Sequence, residues 1–362
     1  MSKAGRGFRK LSQCLQFQKR SFTIAGSPFR PRHLLSIASL EPAELTALIR
    51  TASAHKTALK SGNIPSSLDN ALLRKTIAIP MNKRSTRTRV STEAAVATMA
   101  GHPLFLGSND IQLGVNETLY DTSAVISSMV AGIVARVGPH SDVVELAKHS
   151  RVPVINGLSD AFHPLQAIAD YLTIYEAFAR RASPMLKGSI PGLGLKGLKI
   201  AWVGDANNVL FDLAIASAKL GVHVAVAAPQ GYEIPSTVRE LILDNAKAAE
   251  SGMNLTETTI PEEAVKEADI IVTDTWVSMG QEEEKAKRLK AFEGFQITSE
   301  LAERGGAKKN WKFMHCLPRH PEEVSDEVFY GPRSLVFPEA ENRLYSAIAV
   351  LEAFVVNKGK IL

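Results

Sequence analysis

Two hydrophobic patterns alternate along the chain. Short unbroken apolar runs are separated by longer stretches in which apolar residues recur every three or four positions. The first pattern suits strands buried on both faces and the second suits amphipathic helices, so their alternation predicts βα units and parallel sheets. In the first half, strands are predicted at Thr76–Pro80, Pro103–Leu106, Gly132–Val137 and Val152–Ile155. Helices are predicted at Pro42–Lys60, Arg89–Ala100, Thr118–Met129, Val143–Lys148 and Pro164–Arg180. Segment 181–197 breaks the pattern: Gly188, Pro191, Gly192, Gly194 and Gly197 mark an interdomain connection. The alternation then restarts. Strands are predicted at Lys199–Gly204, His223–Ala227, Leu255–Thr258, Ile270–Thr273, Lys312–Met314 and Leu335–Phe337. Helices are predicted at Val209–Lys219, within Pro235–Gly252, and at Arg343–Val356. The chain carries no internal repeat of the length that builds solenoids or propellers.

Length agrees with this division. At 362 residues the chain exceeds the roughly 250–300 residues at which a single core stops growing, so two domains are expected. The composition, 45% hydrophobic and 22% charged, is globular. No apolar run reaches the roughly 18–20 residues that span a bilayer. Two cysteines, Cys14 and Cys316, cannot make a disulfide framework.

The net charge of +5 is unevenly placed. Residues 1–32 hold eight Lys/Arg and no acid, and the first acid is Glu41. The remainder has 34 basic and 37 acidic residues, a net of −3. A nucleic-acid binder would carry its basic surface on the folded body, so that class is disfavoured. The leading segment is Arg-rich, contains serine and intersperses Phe8, Leu11, Leu15 and Phe17, the pattern of a mitochondrial transit peptide. The alternative is a disordered basic tail for acidic partners; the abrupt end of the acid-free zone favours targeting. Removal between Arg20 and His33 would take Cys14 with it.

The strongest local chemistry is Ser85-Thr86-Arg87-Thr88-Arg89, which follows a predicted strand and opens a helix. Backbone N–H groups converge there, the helix dipole adds positive potential, hydroxyls add donors and Arg87 adds a bidentate cation, which together suit a phosphate. The alternative is an N-capped helix with solvated arginines. In His163-Pro164-Leu165-Gln166 the proline suits a first helical position, placing His163 at the helix end, where the dipole favours a neutral imidazole able to donate to a carbonyl oxygen. A structural capping histidine fits the local pattern equally well. Arg136 ends an apolar strand, where it meets either an anionic ligand or a structural acid. In the second half, Asp274 follows one strand and His315-Cys316-Leu317-Pro318-Arg319 follows another. A carboxylate there suits an ammonium ligand, and Cys316 reads as a nucleophile, a polar lining group or an inert buried thiol. Asn207-Asn208 follows Val203-Gly204-Asp205, but the full glycine fingerprint of a dinucleotide fold is missing. Neither a metal-ligand cluster nor a Gly-x-Ser-x-Gly elbow is present.

Together these motifs resemble the carbamoyltransferases, in the ornithine branch of that family, over residues 33–358. Ser85–Arg89 and His163-Pro164-Leu165-Gln166 are similar to the carbamoyl phosphate signatures. Asp274 through Gly280 resembles the Asp-x-x-x-Ser-Met-Gly ornithine loop, and Cys316 stands where the aspartate branch has proline. The resemblance implies an α/β fold of two domains, each a mostly parallel sheet flanked by helices, with the C-terminal helix returning to the first. The implied boundaries are a transit peptide at 1–32, a carbamoyl phosphate domain at 33–180, an ornithine domain at 181–342 and the returning helix at 343–362. It implies a homotrimer in the mitochondrial matrix, no cofactor and no metal, and a step of arginine biosynthesis: carbamoyl phosphate and L-ornithine give L-citrulline and phosphate.

By the same resemblance, Ser85, Thr86, Arg87, Thr88, Gln112, Arg136, His163 and Gln166 hold carbamoyl phosphate, with Gln112 reaching a neighbouring subunit's phosphate. Asn207, Asp274, Ser278, Met279, Cys316, Leu317 and Arg343 hold ornithine, and Arg136, His163 and Cys316 are catalytic. One departure stands out: the family often has arginine where this chain has Ala124. Rivals are another acceptor (putrescine, N-acetylornithine or aspartate), a nicotinamide dehydrogenase without its fingerprint, and a non-enzymatic binding protein that would lack part of the site.

Overall fold

The computed structural model describes residues 31–108, 117–178, 192–277 and 284–361. They divide into two compact units: the chain up to Ala169 together with Arg343–Leu362, and Asp170–Asn342. The division falls inside a helix, Pro164–Phe178, and not in the Gly/Pro-rich stretch; residues 179–191 of that stretch, and the end predicted for this helix at Arg180, lie outside the described residues.

The first unit runs α1 (Pro42–Lys60), β1 (Thr76–Met81), α2 (Thr86–Thr98), β2 (His102–Gly107), α3 (Leu119–Met129), β3 (Gly132–Arg136), α4 (His140–His149), β4 (Val154–Leu158) and α5 (Pro164–Phe178), the last crossing into the second unit. The four strands form a parallel sheet in the order β2-β1-β3-β4. Its core packs Ala78, Ile133, Ala135, Val143, Leu146 and Val154, all buried. β3 is buried at every position, as expected of a strand covered on both faces.

The second unit continues with β5 (Lys199–Val203), α6 (Asn208–Leu220), β6 (His223–Ala227), α7 (Ser236–Ala248), β7 (Leu255–Thr258), α8 (Pro261–Val265), β8 (Ile270–Thr273), α9 (Lys285–Ala291), α10 (Ser299–Arg304), β9 (Lys312–His315) and α11 (Asp326–Phe329). Its parallel sheet has the order β7-β6-β5-β8-β9. β8 is buried throughout, and Val203, Ile271, Phe313, Trp276 and Phe292 belong to one apolar core.

The strand predicted at Leu335–Phe337 is not formed. Ser334 makes a single bridge to Phe313, and α12 (Val336–Leu351) starts immediately after, continuing into a π-helical turn at Glu352–Val356. Pro338 lies in the first turn, where its missing N–H costs nothing, so the Val-Phe-Pro triplet starts a helix. The last helix therefore begins at Val336, earlier than the predicted Arg343. Its part beyond Arg343 packs on the first unit, where the Ser346 hydroxyl donates to the Leu165 carbonyl at 2.7 Å. α2 likewise starts at Thr86, ahead of the predicted Arg89.

The folded first unit includes Arg32, assigned by charge to the leading basic segment. Its guanidinium donates to both carboxylate oxygens of Glu44 (2.6 and 2.7 Å) and to the Gly359 carbonyl at 3.1 Å. Leu34 pairs alongside β4, with its N–H on the Val154 carbonyl at 3.0 Å. Residues 1–30 lie outside the described residues. Among the described residues, no helix is long and apolar enough to cross a membrane.

Candidate active site

In the first unit the site begins where β1 and β3 end. Met81 and Arg136 are register partners, so the two strands finish level. A register shift against β4 between Ala135 and Arg136 turns the strand end. The chain leaves β1 and enters α2 through Ser85, whose extended backbone and side chain make an N-cap: its Oγ accepts from the Thr88 N–H at 3.3 Å. The Ser85 hydroxyl also donates to Thr88 Oγ1 at 3.1 Å, and Arg136 Nη1 donates to the same oxygen at 3.4 Å. Arg136 is 8% exposed and Thr88 1%, so the cradle floor is dry. Thr86 is exposed and Arg87 half-buried at its rim. The alternative of an N-cap with solvated arginines describes Arg89, which pairs with Glu93 at 2.9 Å, and not Arg136.

β4 and α5 bring the second set. His163 and Gln166 are both buried. Arg343 on α12 donates through Nη1 to Gln166 Oε1 at 2.6 Å and sits 3.2 Å from His163 Nε2. A guanidinium only donates, so Nε2 accepts and the proton of the neutral ring is on Nδ1. His163 Nδ1 is buried and finds no partner among the described residues. Burial first, then the charges of Arg343, Arg136 and Arg87, hold the imidazole well below its ordinary pKa. Desolvation and three guanidinium groups thus act in the same direction as the helix-end dipole named from sequence, toward the neutral ring. Arg343, grouped by resemblance with the ornithine residues, contacts His163 and Gln166. A cluster of three guanidinium groups around a neutral N–H donor can bind a phosphate and polarise a neighbouring carbonyl.

In the second unit, β5, β8 and β9 lie side by side, and their carboxyl ends converge. Asn207 caps α6: its Oδ1 accepts from Val209 N–H (3.0 Å) and Leu210 N–H (3.4 Å), while its Nδ2 donates to Asp274 Oδ2 at 2.8 Å. The Cys316 thiol donates to the other oxygen, Asp274 Oδ1, at 3.0 Å. Asp274 is thereby held by both neighbours, and each oxygen keeps a lone pair for an ammonium ligand. Gly204, at φ +135°, follows β5 where an added Cβ would lie 2.9 Å from Trp276 Nε1, so only glycine lets Trp276 close behind Asp274.

Burial pushes the Cys316 thiol well above its ordinary pKa, and the carboxyls of Asp274, Glu339 and Asp170 add to it. A thiol so held is a lining donor and a poor nucleophile. Leu317 adopts φ +64°, and its carbonyl lies 3.7 Å from Cys316 Sγ. Sequence reasoning missed the support beneath this turn. Glu339 Oε2 accepts from the His315 N–H at 2.9 Å, and His315 Nε2 sits 3.1 Å from Glu323 Oε2. Glu323 comes from a turn and Glu339 from the first turn of α12, and no local spacing in the sequence marks either as a partner of His315. Gln112, Ser278 and Met279 lie outside the described residues. Among the described residues, no group of three or more His, Cys, Asp or Glu could hold a metal.

The chain is thus a two-unit α/β protein with three guanidinium groups near a buried imidazole in one unit and a buried carboxylate between an amide and a thiol in the other. Comparison with known proteins agrees. Residues 32–176 match the carbamoyl-P binding domain of aspartate/ornithine carbamoyltransferase, and residues 196–354 match its Asp/Orn binding domain. Mitochondrial ornithine carbamoyltransferase of Aspergillus terreus is 66% identical over 96% of this chain and 95% of its own. Its counterpart from Coccidioides immitis is 69% identical over 92% of this chain and 96% of its own. The crystal structure of a mitochondrial ornithine carbamoyltransferase from Coccidioides immitis superposes with a TM-score of 0.85, at 66% identity, covering 92% of this chain and all of that one. The chain belongs to the aspartate/ornithine carbamoyltransferase family.

Proposed function

We propose that the chain transfers the carbamoyl group of carbamoyl phosphate to the δ-amine of L-ornithine, giving L-citrulline and phosphate, in the mitochondrial matrix. The observation that carries the ornithine reading is Asp274, held between the Asn207 amide and the Cys316 thiol. The relatives named above are mitochondrial ornithine carbamoyltransferases, which supports both the acceptor and the compartment.

The phosphate is held by the N-terminus of α2, with Ser85, Thr86, Arg87, Thr88 and Arg136. Thr88, Arg136 and His163 Nδ1–H polarise the carbonyl oxygen and stabilise the charge it gains as a tetrahedral intermediate forms. Gln166, fixed by Arg343, accepts from the carbamoyl NH₂. Ornithine binds with its α-ammonium on Asp274 and its carboxylate toward Asn207 and the Ser278-Met279 segment. Cys316 and the Leu317 carbonyl line the δ-amine. That amine attacks directly as the neutral base, and the departing phosphate takes its proton. Aspartate as acceptor would bring a second carboxylate toward Asp274, a like-charge contact that disfavours it. Formation of citrulline from both substrates, with no product from aspartate, putrescine or N-acetylornithine, tests the reading.

The functional form is a homotrimer in which Gln112 reaches a neighbour's phosphate. Val125 and Met129, one turn apart on α3, are exposed apolar side chains that an assembly would cover. Light scattering that returned a trimer mass would support this, and a monomer mass would reject it. Recovery of activity when Arg136→Ala and Gln112→Ala subunits, each poorly active alone, are dissociated and reassembled together would support it as well.

A further inference from the structure

His163 is aimed by the backbone that carries it, and that backbone is fixed from both sides. The peptide after His163 belongs to α5: the His163 carbonyl accepts from the N–H groups of Gln166 (3.0 Å) and Ala167 (3.2 Å). The peptide before it is fixed by side chains. The Phe162 N–H donates to Ser159 Oγ at 3.2 Å. The Phe162 carbonyl accepts from the Ser159 N–H at 3.0 Å, from Asn156 Nδ2 at 3.2 Å and from the Ser159 hydroxyl at 3.3 Å. Asn156 Nδ2 also donates to Ser159 Oγ (3.2 Å) and to the Leu35 carbonyl (2.9 Å), tying the loop to the segment that runs alongside β4. His140 Nδ1 lies 2.8 Å from Ser159 Oγ, and its ring packs edge-on to Phe162 at 4.9 Å between centroids. Asn156, Ser159 and Phe162 show no exposed surface, and His140 is 3% exposed.

A plain helix N-terminus does not need this arrangement. Pro164 follows His163 directly and removes one N–H, and the helix satisfies the His163 carbonyl. The Ser159 hydroxyl instead contacts both polar atoms of Phe162, so it sets the peptide plane from which the His163 ring projects. Rotation of that plane swings the imidazole and carries Nδ1–H off its line. Resting on the reading of His163 as the donor to the carbonyl oxygen, we infer that Ser159, supported by Asn156 and His140, is a positioning residue that fixes the aim of the His163 ring. It touches neither substrate. Its loss acts on the step in which oxygen charge develops and leaves the ornithine site alone. Burial pushes His140 down to about 4, so this neighbour stays neutral and the network is the same across the range in which the enzyme is assayed.

The test is a double-mutant cycle between Ser159→Ala and His163→Ala, with kcat, both KM values and melting temperature measured for each variant. Misplacing a reacting group by a fraction of an ångström to an ångström costs about tenfold to a hundredfold in rate. Ser159→Ala is expected to lower kcat by about tenfold or more with the ornithine KM changed less than about twofold. In the His163→Ala background the same substitution is expected to change kcat by less than about twofold, because the group it aims is gone. Equal losses in both backgrounds would mean that Ser159 serves the fold or another group, and the inference falls. A folded Ser159→Ala enzyme with undiminished kcat overturns it as well. Should the alanine variant fail to fold, Ser159→Cys keeps the volume with a weak acceptor and enters the same cycle. If His163→Ala alone is as active as wild type, the donor role of His163 fails and this inference with it; an impaired His163→Ala with additive losses rejects only the positioning role.

Discussion

Arg136→Met removes the buried cation of the anion cradle and keeps most of its volume. The wild-type side chain is 8% exposed, donates to Thr88 at 3.4 Å and acts on His163 together with Arg87 and Arg343. Loss of one donor aimed at developing charge in a dry site costs about 2.7–4 kcal/mol, or about 10²–10³ in kcat. Stability should move differently. Without ligand the loss should be smaller, because methionine keeps most of the buried side chain's volume and the contact to Thr88 that goes is a long one, at 3.4 Å. Ligand separates the two forms further. Inorganic phosphate at about 100 times its Kd stabilises the wild-type first unit by about 2.7 kcal/mol, worth about 5–10 °C in Tm for a unit of this size. The variant at the same phosphate concentration should show almost none of that shift. Thermal denaturation with and without phosphate, beside a citrulline assay, measures both quantities. A variant that kept the phosphate-induced shift and near-normal turnover would refute the placement of Arg136 in the cradle.

Cys316→Ser should weaken turnover without abolishing it, and mass spectrometry after incubation with carbamoyl phosphate alone should find no thioester at Cys316, since burial and Asp274 keep the thiol protonated. His163 is held neutral well below its ordinary value, so kcat/KM should show no inflection near about pH 6.5 that disappears in His163→Gln. Glu352 is buried, which raises its pKa, but His55 at 2.6 Å and the Ser67 hydroxyl outweigh burial and leave it below the usual carboxylate value. Its stabilising contribution is therefore present above that value and lost as pH falls through the lowered one, and His55→Ala should cost about 1–3 kcal/mol by leaving the buried Glu352 carboxylate short of a hydrogen-bond donor, read as a fall in Tm.

The parallel sheets were legible because strands buried on both faces are unbroken apolar runs. His223–Ala227, Leu255–Thr258 and Ile270–Thr273 form with the bounds the sequence predicts. Helices α8, α9, α10 and α11 escaped because each is too short to show a periodic face. The Leu335-Val336-Phe337 run looked like one more strand, yet Pro338 and Glu339 suit a first helical turn, and Glu339 spends its carboxylate on the His315 N–H. In the site, Ser85, Asn207 and Asp274 announced themselves at strand ends. Which of them meet depended on strand order: β5, β8 and β9 had to be neighbours before Asn207 and Cys316 could share Asp274. The contact of Arg343 with Gln166 was hidden for the same reason, since its spacing along α12 says nothing of the side chain it faces.

The first unit is stitched from both ends of the chain, with Arg32 on the Gly359 carbonyl, His55 on Glu352, and Arg343 on Gln166. A ribosome delivers these partners in opposite order, Arg32 among the first described residues and Gly359 among the last. The segment 170–342 is contiguous and holds all its own contacts before the tail emerges. For this chain the usual rule that the N-terminal domain completes first during synthesis is reversed. The half that emerges first remains unfinished until the last helix leaves the ribosome, and a nascent chain arrested before Arg343 would have β1–β4 but neither the brace on His163 nor the clasp on Arg32.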